Sequence, residues 1–155
     1  IQTAIALPGL AQNHNVVLHA DAQRQERLFD YHFRDNFLYE RGLSRRLYYQ
    51  LLKGSFNYHF PISYPDKGAF GIIFLQRIRG NLFFDIGNQN NFSYSQNNIQ
   101  ATYGAELIFD TKLLHEFSLP IGIRYTVVED QFELTVPSSS TLGNRIEVFI
   151  PISRF

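Results

Sequence analysis

The side chains best equipped for chemistry in this chain are charges set into apolar surroundings. The stretch RIRGNLFFDIGNQNN places Arg77, Arg79 and Asp85 among Ile78, Leu82, Phe84 and Ile86, and it contains Phe83-x-Asp85-x-Gly87. Upstream, YERGLSRR puts Arg41-Gly42 in a long polar segment. An arginine meeting a carboxylate out of bulk water makes a charge-assisted contact with a fixed planar geometry. That is anchoring chemistry. Read from the residues alone, Arg41 is equally one of several solvated loop arginines, with Arg34, Arg45 and Arg46.

Signals for catalysis are weak. The sequence has no G-x-S-x-G, no H-E-x-x-H, no phosphate-binding loop and no paired Cys. His14, His19, His32, His59 and His115 are scattered, and no two share a zinc-ligand spacing on one face. His19 and Asp21 fall on one strand face, where structural hydrogen bonding is the expected role. Ser138-Ser139-Ser140 and the GNQNN run have the composition of loop tips. No enzyme activity, metal or cofactor is expected of this region. Fourteen basic and fourteen acidic residues cancel, so no nucleic-acid partner is expected. Cys, Met and Trp are absent, while Phe occurs 15 times and Tyr 9 times.

What must position the charges is a set of strands. Alternation of period two dominates, and helical periodicity is scarce. Leu52, Gly54, Phe56, Tyr58, Phe60 and Ile62 oppose Lys53, Ser55, Asn57, His59 and Pro61. Phe117, Leu119, Ile121, Ile123, Tyr125 and Val127 oppose Ser118, Pro120, Gly122, Arg124 and Thr126. The same holds for Ala101 to Asp110, for Asn15 to Gln23 and for the closing Ile146 to Ser153. About seven strands are expected, around 1–7, 14–24, 50–62, 69–87, 98–110, 116–129 and 144–155. Short connections (PGLAQNH, SYPDKG, TKLLHE) alternate with long polar ones at 25–48, 88–97 and 130–143. No run of about 18 apolar residues offers a membrane helix. Strands of 10 to 13 residues with alternating short and long connections fit an antiparallel transmembrane β-barrel better than a soluble sandwich, whose strands run about 5–6 residues.

Charge sets the register. On these faces Lys53, Arg79, Asp85, Glu106 and Arg124 all point to the barrel interior, and a slip of one residue turns every one toward lipid. A basic residue at mid-membrane costs roughly 2–4 kcal/mol, so the five together cost on the order of 10 kcal/mol, comparable to a domain's stability. Seven strands do not close a barrel. Further strands upstream of Ile1, or several chains sharing one barrel, are therefore expected, and the start IQTAIALPGL, which lacks the pattern of a signal peptide, favours the first.

With Arg41-Gly42 in the longest loop and Phe83-x-Asp85-x-Gly87 on a late strand, the chain resembles the BamA/TamA/FhaC-like outer-membrane translocase barrels, the bacterial surface antigen family. LLKGSFNYHFPI, IRGNLFFDIGN, ATYGAELIF, LPIGIRY and IEVFIPISRF fall in that family's order. The resemblance implies that residues 1–155 are the C-terminal part, about seven strands, of a sixteen-stranded all-β barrel in the bacterial outer membrane. It implies that the Arg41-Gly42 tip folds into the lumen and that Arg41 meets Asp85. It also implies a terminal assembly signal ending at Phe155. The expected partners are outer-membrane lipid, the barrel-assembly machinery, unfolded polypeptide as substrate and other subunits of an outer-membrane complex. The function implied is insertion or passage of polypeptide across the outer membrane; the alternative is an anchor or passive pore carrying an upstream domain. Departures from the pattern are Glu40 in place of Val or Ile, Leu43 in place of an aromatic, and Asn57 or His59 in place of an acidic residue. In FIPISRF, Ser153 and Pro151 offset the apolar count from Phe155, and a bulge near Pro151 is expected to restore it.

Overall fold

The computed structural model describes residues 1–24, 40–42, 48–69, 71–91, 98–114, 116–130 and 140–151. These residues form strands and no helix. The strands are β1 (Gln2–Pro8), β2 (Asn15–Arg24), β3 (Tyr48–Ser63), β4 (Lys67–Ala69), β5 (Ile73–Asn91), β6 (Asn98–Leu113), β7 (Phe117–Asp130) and β8 (Ser140–Phe149). All pairs are antiparallel, in the order β1-β2-β3-β5-β6-β7-β8, with β4 pairing β5 off this path. The sheet is open, with β1 and β8 at its edges.

Seven strands of this path correspond to the seven expected from alternation. The differences lie at their ends and have local causes. SYPDKG is more than a turn, because Lys67–Ala69 folds back on β5 as a short eighth strand. β5 therefore starts at Ile73 rather than 69, and it runs on to Asn91, past Gly87. A polar amide-rich end pairs as well as an apolar one when the neighbouring backbone supplies hydrogen bonds, and the pairs Leu52 with Asn88 and Gln89 with Asn98 continue that ladder. β8 starts at Ser140, earlier than expected, and ends at Phe149, so Pro151 lies outside it. The irregularity in the β7–β8 ladder is between Val128 and Glu129, at the opposite end from Pro151. Residues 152–155, with Phe155, lie outside the described residues.

At one end the connections are short, and three residues there adopt left-handed backbone: Asn13 (φ 65°), Asp66 (φ 46°) and Leu114 (φ 51°). The long connections all fall at the other end.

The two faces are unlike each other. Strand register sets Ile5, Leu18, Phe56, Phe84, Tyr103 and Val127 side by side across six strands. On the opposite face, His59, Asn81, Glu106, Arg124 and Glu147 form a row across five. Directly paired residues have Cβ atoms about 4.5–5.5 Å apart, so each row is a line of touching side chains. The apolar row faces outward: Phe56, Leu82, Ile123 and Val148 are 42%, 49%, 42% and 74% exposed. The polar face is the buried one. Among the described residues, buried polar or charged side chains number eleven and buried hydrophobic ones five. Lys53, Asp85 and Glu106 are buried, and Arg79 and Arg124 share their face.

Candidate functional site

Three residues of the long β2–β3 connection, Glu40-Arg41-Gly42, lie against the polar face of the sheet. Each touches a different part of it. The Arg41 backbone N–H donates to Asp85 Oδ2 at 3.2 Å, and its guanidinium Nε lies 3.6 Å from the same oxygen. That Nε is also 3.8 Å from Glu106 Oε1, while Nη2 donates to Asn57 Oδ1. The guanidinium carbon sits 4.3 Å from the centre of the Phe83 ring, a cation–π stack.

Glu40 is buried at 2% exposure and lies over Gly87. A Cβ at Gly87 would fall 1.5 Å from Glu40 Oε1, so only glycine leaves room for this carboxylate. Gly42 has φ 81°, which L side chains rarely adopt, and a Cβ there would meet Thr126 Cγ2 of β7 at 2.8 Å. Its carbonyl accepts a hydrogen bond from Arg145 Nη1 of β8 at 3.3 Å. Period-two geometry explains the strand motif: Phe83, Asp85 and Gly87 project from one face and receive, in turn, the Arg41 ring stack, the Arg41 ion pair and the Glu40 side chain.

Asp85 is fully buried (0% exposed). Ser55 Oγ donates to its Oδ1 at 2.7 Å, and Lys53 Nζ lies 3.8 Å from its Oδ2. From there the contacts run across the sheet. Asn81 Nδ2 donates to Glu106 Oε2 at 2.8 Å and to Asn57 Oδ1 at 3.3 Å. Arg124 Nε donates to Glu106 Oε1 at 2.7 Å, and its Nη1 reaches Glu147 Oε2 at 3.4 Å. Arg145 Nε lies 3.0 Å from Glu147 Oε1, and Arg145 returns to Gly42. Phe149 stacks on Arg124 at 4.3 Å. The residues just named supply four cations (Arg41, Lys53, Arg124, Arg145) and four carboxylates (Glu40, Asp85, Glu106, Glu147), a balanced set. Such a network holds a segment in one place. Among the described residues, no group of three or more His, Asp or Glu side chains is arranged to hold a metal ion.

Arg41, Gly42, Phe83, Asp85 and Gly87 are thus brought together, and Phe155 lies outside the described residues, as does Leu43. Of Asn57 and His59, Asn57 reaches Arg41. Alternation puts Lys53, Glu106 and Arg124 on this face, and the folded sheet makes them partners of the anchor. Glu40 stands out in the sequence only as a departure from the resembled pattern. The signal for it is the glycine at 87, two residues beyond Asp85 on the same face, which marks a gap that some side chain fills.

Gly42→Ala puts a methyl group against Thr126 in a strained backbone. We expect a loss of roughly 1–3 kcal/mol, read as a lower denaturation midpoint. A neutral result would show that the turn at Gly42 is not pressed onto β7.

Comparison with protein-family models, with curated proteins and with solved structures finds no match to this chain.

Proposed function

We propose that this chain is part of an outer-membrane β-barrel of the protein-translocation and assembly type, its apolar face in contact with lipid and its polar face lining the lumen. The observation that carries the membrane reading is the inversion of the sheet: among the described residues it exposes many large Leu, Ile, Val, Phe and Tyr side chains, and those it buries are mostly polar or charged. In water that arrangement exposes a continuous apolar surface across at least six strands, which soluble monomers avoid. In a bilayer it is the low-energy arrangement.

Dimensions agree with this reading. On β7 the outward apolar positions run from Phe117 to Val127 and give way to Glu129, whose Oε1 accepts a hydrogen bond from Tyr103 at 3.2 Å. Ten steps of about 3.3 Å, tilted by about 40°, rise roughly 25 Å, the height of an outer-membrane apolar band. No helix among the described residues is long and apolar enough to cross a membrane, so any crossing is by strands. Closure of the barrel requires strands beyond β1 and β8.

Polypeptide insertion or passage rests on the resemblance in Arg41-Gly42 and Phe83-x-Asp85-x-Gly87, supported by the docking of residues 40–42 on that strand. The docked turn makes the lumen adjustable, since a plug held by side chains is released without unfolding a strand. The alternative, an anchor or passive pore for an upstream domain, needs no such turn.

Spin labels test the membrane assignment. Labels at Phe56, Leu82, Ile123 and Val148 are expected to report lipid, and labels at Ser55, Arg79, Glu106 and Arg124 water or protein. The reverse pattern at most of these sites sinks the reading. For translocation, proteoliposomes with the full chain are expected to take up an unfolded polypeptide, and an Arg41→Ala variant to do so at an altered rate. An uptake rate identical to empty vesicles supports the anchor instead.

A further inference from the structure

We infer that a recess at the short-connection end of the polar face is a binding site for the carboxylates of an extended acidic polypeptide segment. This rests on the reading that the polar face lines an aqueous passage. The recess has a volume of about 530 Å³ and is lined by Arg77, Arg79, His59, Asn13, Asn15 and Tyr64 among others. That is ample for a few residues of an extended chain.

Charge is out of balance here, unlike at the anchor. Arg77 Nε and Arg79 Nη2 both hold Asp110, the first through Oδ2 and the second through Oδ1 at 3.0 Å. One carboxylate, with both oxygens engaged, thus serves two guanidiniums. Each guanidinium carries five N–H donors. Arg79 Nε is buried with no hydrogen-bond partner, a costly state for a charged group's donor. The side chains of Arg77 and Arg79 remain 47% and 34% exposed, so an incoming anion reaches them. The amides of Asn13 and Asn15 and the Tyr64 hydroxyl add neutral donors around the same recess.

Spacing narrows the ligand. Arg77 and Arg79 are two residues apart on one strand face, about 6.6 Å along β5. Carboxylates two apart on an extended peptide have the same spacing, so an acid-x-acid segment pairs with both arginines at once. Bidentate arginine–carboxylate contacts make this selective for planar anions. Val17 and Pro61 line the recess as well and give the intervening side chain an apolar neighbour. By register, Asn15, Val17, His59, Pro61, Arg77 and Arg79 all belong to the face opposite the apolar one.

The test uses the full chain in detergent micelles, with the pentapeptide Ser-Asp-Val-Asp-Tyr-amide carrying fluorescein on its N-terminal amine, followed by anisotropy. We expect saturable binding, at least tenfold weaker for the Asn-x-Asn analogue and for the double variant Arg77→Gln/Arg79→Gln. Asp110→Asn removes the competing carboxylate and keeps both arginines, so it is expected to bind the peptide several-fold tighter; this arm stands even where the double variant fails to fold. Equal binding of the Asp and Asn peptides, or no response to Asp110→Asn, overturns the site. Displacement by inorganic phosphate at the concentration of unlabelled peptide reduces it to a simple anion site and overturns the polypeptide assignment. Labels at Phe56 and Val148 on the same preparation report the lipid-facing surface independently, so loss of peptide binding with those labels still in apolar surroundings condemns the recess and not the membrane reading.

Discussion

Arg41→Ala is expected to release residues 40–42 from the sheet and to destabilise the protein by about 3 kcal/mol. The guanidinium it removes lies against two buried carboxylates, Asp85 and Glu106, and against Asn57 and the Phe83 ring. Removing one partner of a buried pair costs roughly 3–5 kcal/mol because the other charge stays in place. The lower end applies here, since Lys53 and Ser55 still serve Asp85, and Arg124 and Asn81 still serve Glu106. Arg41→Lys is expected to recover little: an ammonium cannot stack flat on Phe83 while reaching Asn57 and both carboxylates. The double substitution Arg41→Ala with Asp85→Ala is expected to cost less than the sum of the singles by at least 1 kcal/mol. The measurements are denaturation midpoints in detergent and protease cleavage within the β2–β3 connection, which is expected to rise in each single variant. Additive energies with unchanged cleavage would mean that Arg41 does not hold the turn.

Gly87→Ala is the second large effect, and it acts through size instead of charge. A methyl group at 87 occupies the place of the Glu40 carboxylate, 1.5 Å from its Oε1 and 2.6 Å from its Cδ. Glu40 is the flexible partner, but at 2% exposure it has little space to swing into. The turn must lift, at a cost of about 2–3 kcal/mol, typical of overpacking. The cross-check is background dependence. Introduced into Glu40→Ala, the same Gly87→Ala change is expected to be nearly neutral, because the overlapping atoms are gone. An equal cost in both backgrounds would assign Gly87 to the needs of its own strand and remove Glu40 from the anchor. Together the two experiments separate the electrostatic half of the docking, at Asp85, from the steric half, at Gly87.

These two halves differ in how far the sequence reveals them. Period-two alternation is a local property, so the strands, their faces and the side of the sheet taken by Lys53, Arg79, Asp85, Glu106 and Arg124 follow from the residues in order. The charged residues fix register because a one-residue slip reverses every side chain at once. Strand ends are less legible. Asn88 to Asn91 and Lys67–Ala69 are polar or turn-like in composition, and what makes them strand is a neighbour's free backbone groups, which no local pattern encodes.

In the sequence only a family resemblance pairs Arg41 with Asp85; the residues alone leave Arg41 indistinguishable from Arg34, Arg45 and Arg46. The tertiary structure decided the rest of the site. Glu40 fills the gap at Gly87, Gly42 presses on Thr126, and Arg145 reaches back to the Gly42 carbonyl from 103 residues along the chain. The recess around Arg77 and Arg79 likewise depends on Asn13 from the β1–β2 connection, Asn15 from β2 and His59 from β3. The reason is range: alternation is set between neighbours in sequence, whereas complementarity of charge and volume is set between segments that only the folded sheet brings within a few ångströms.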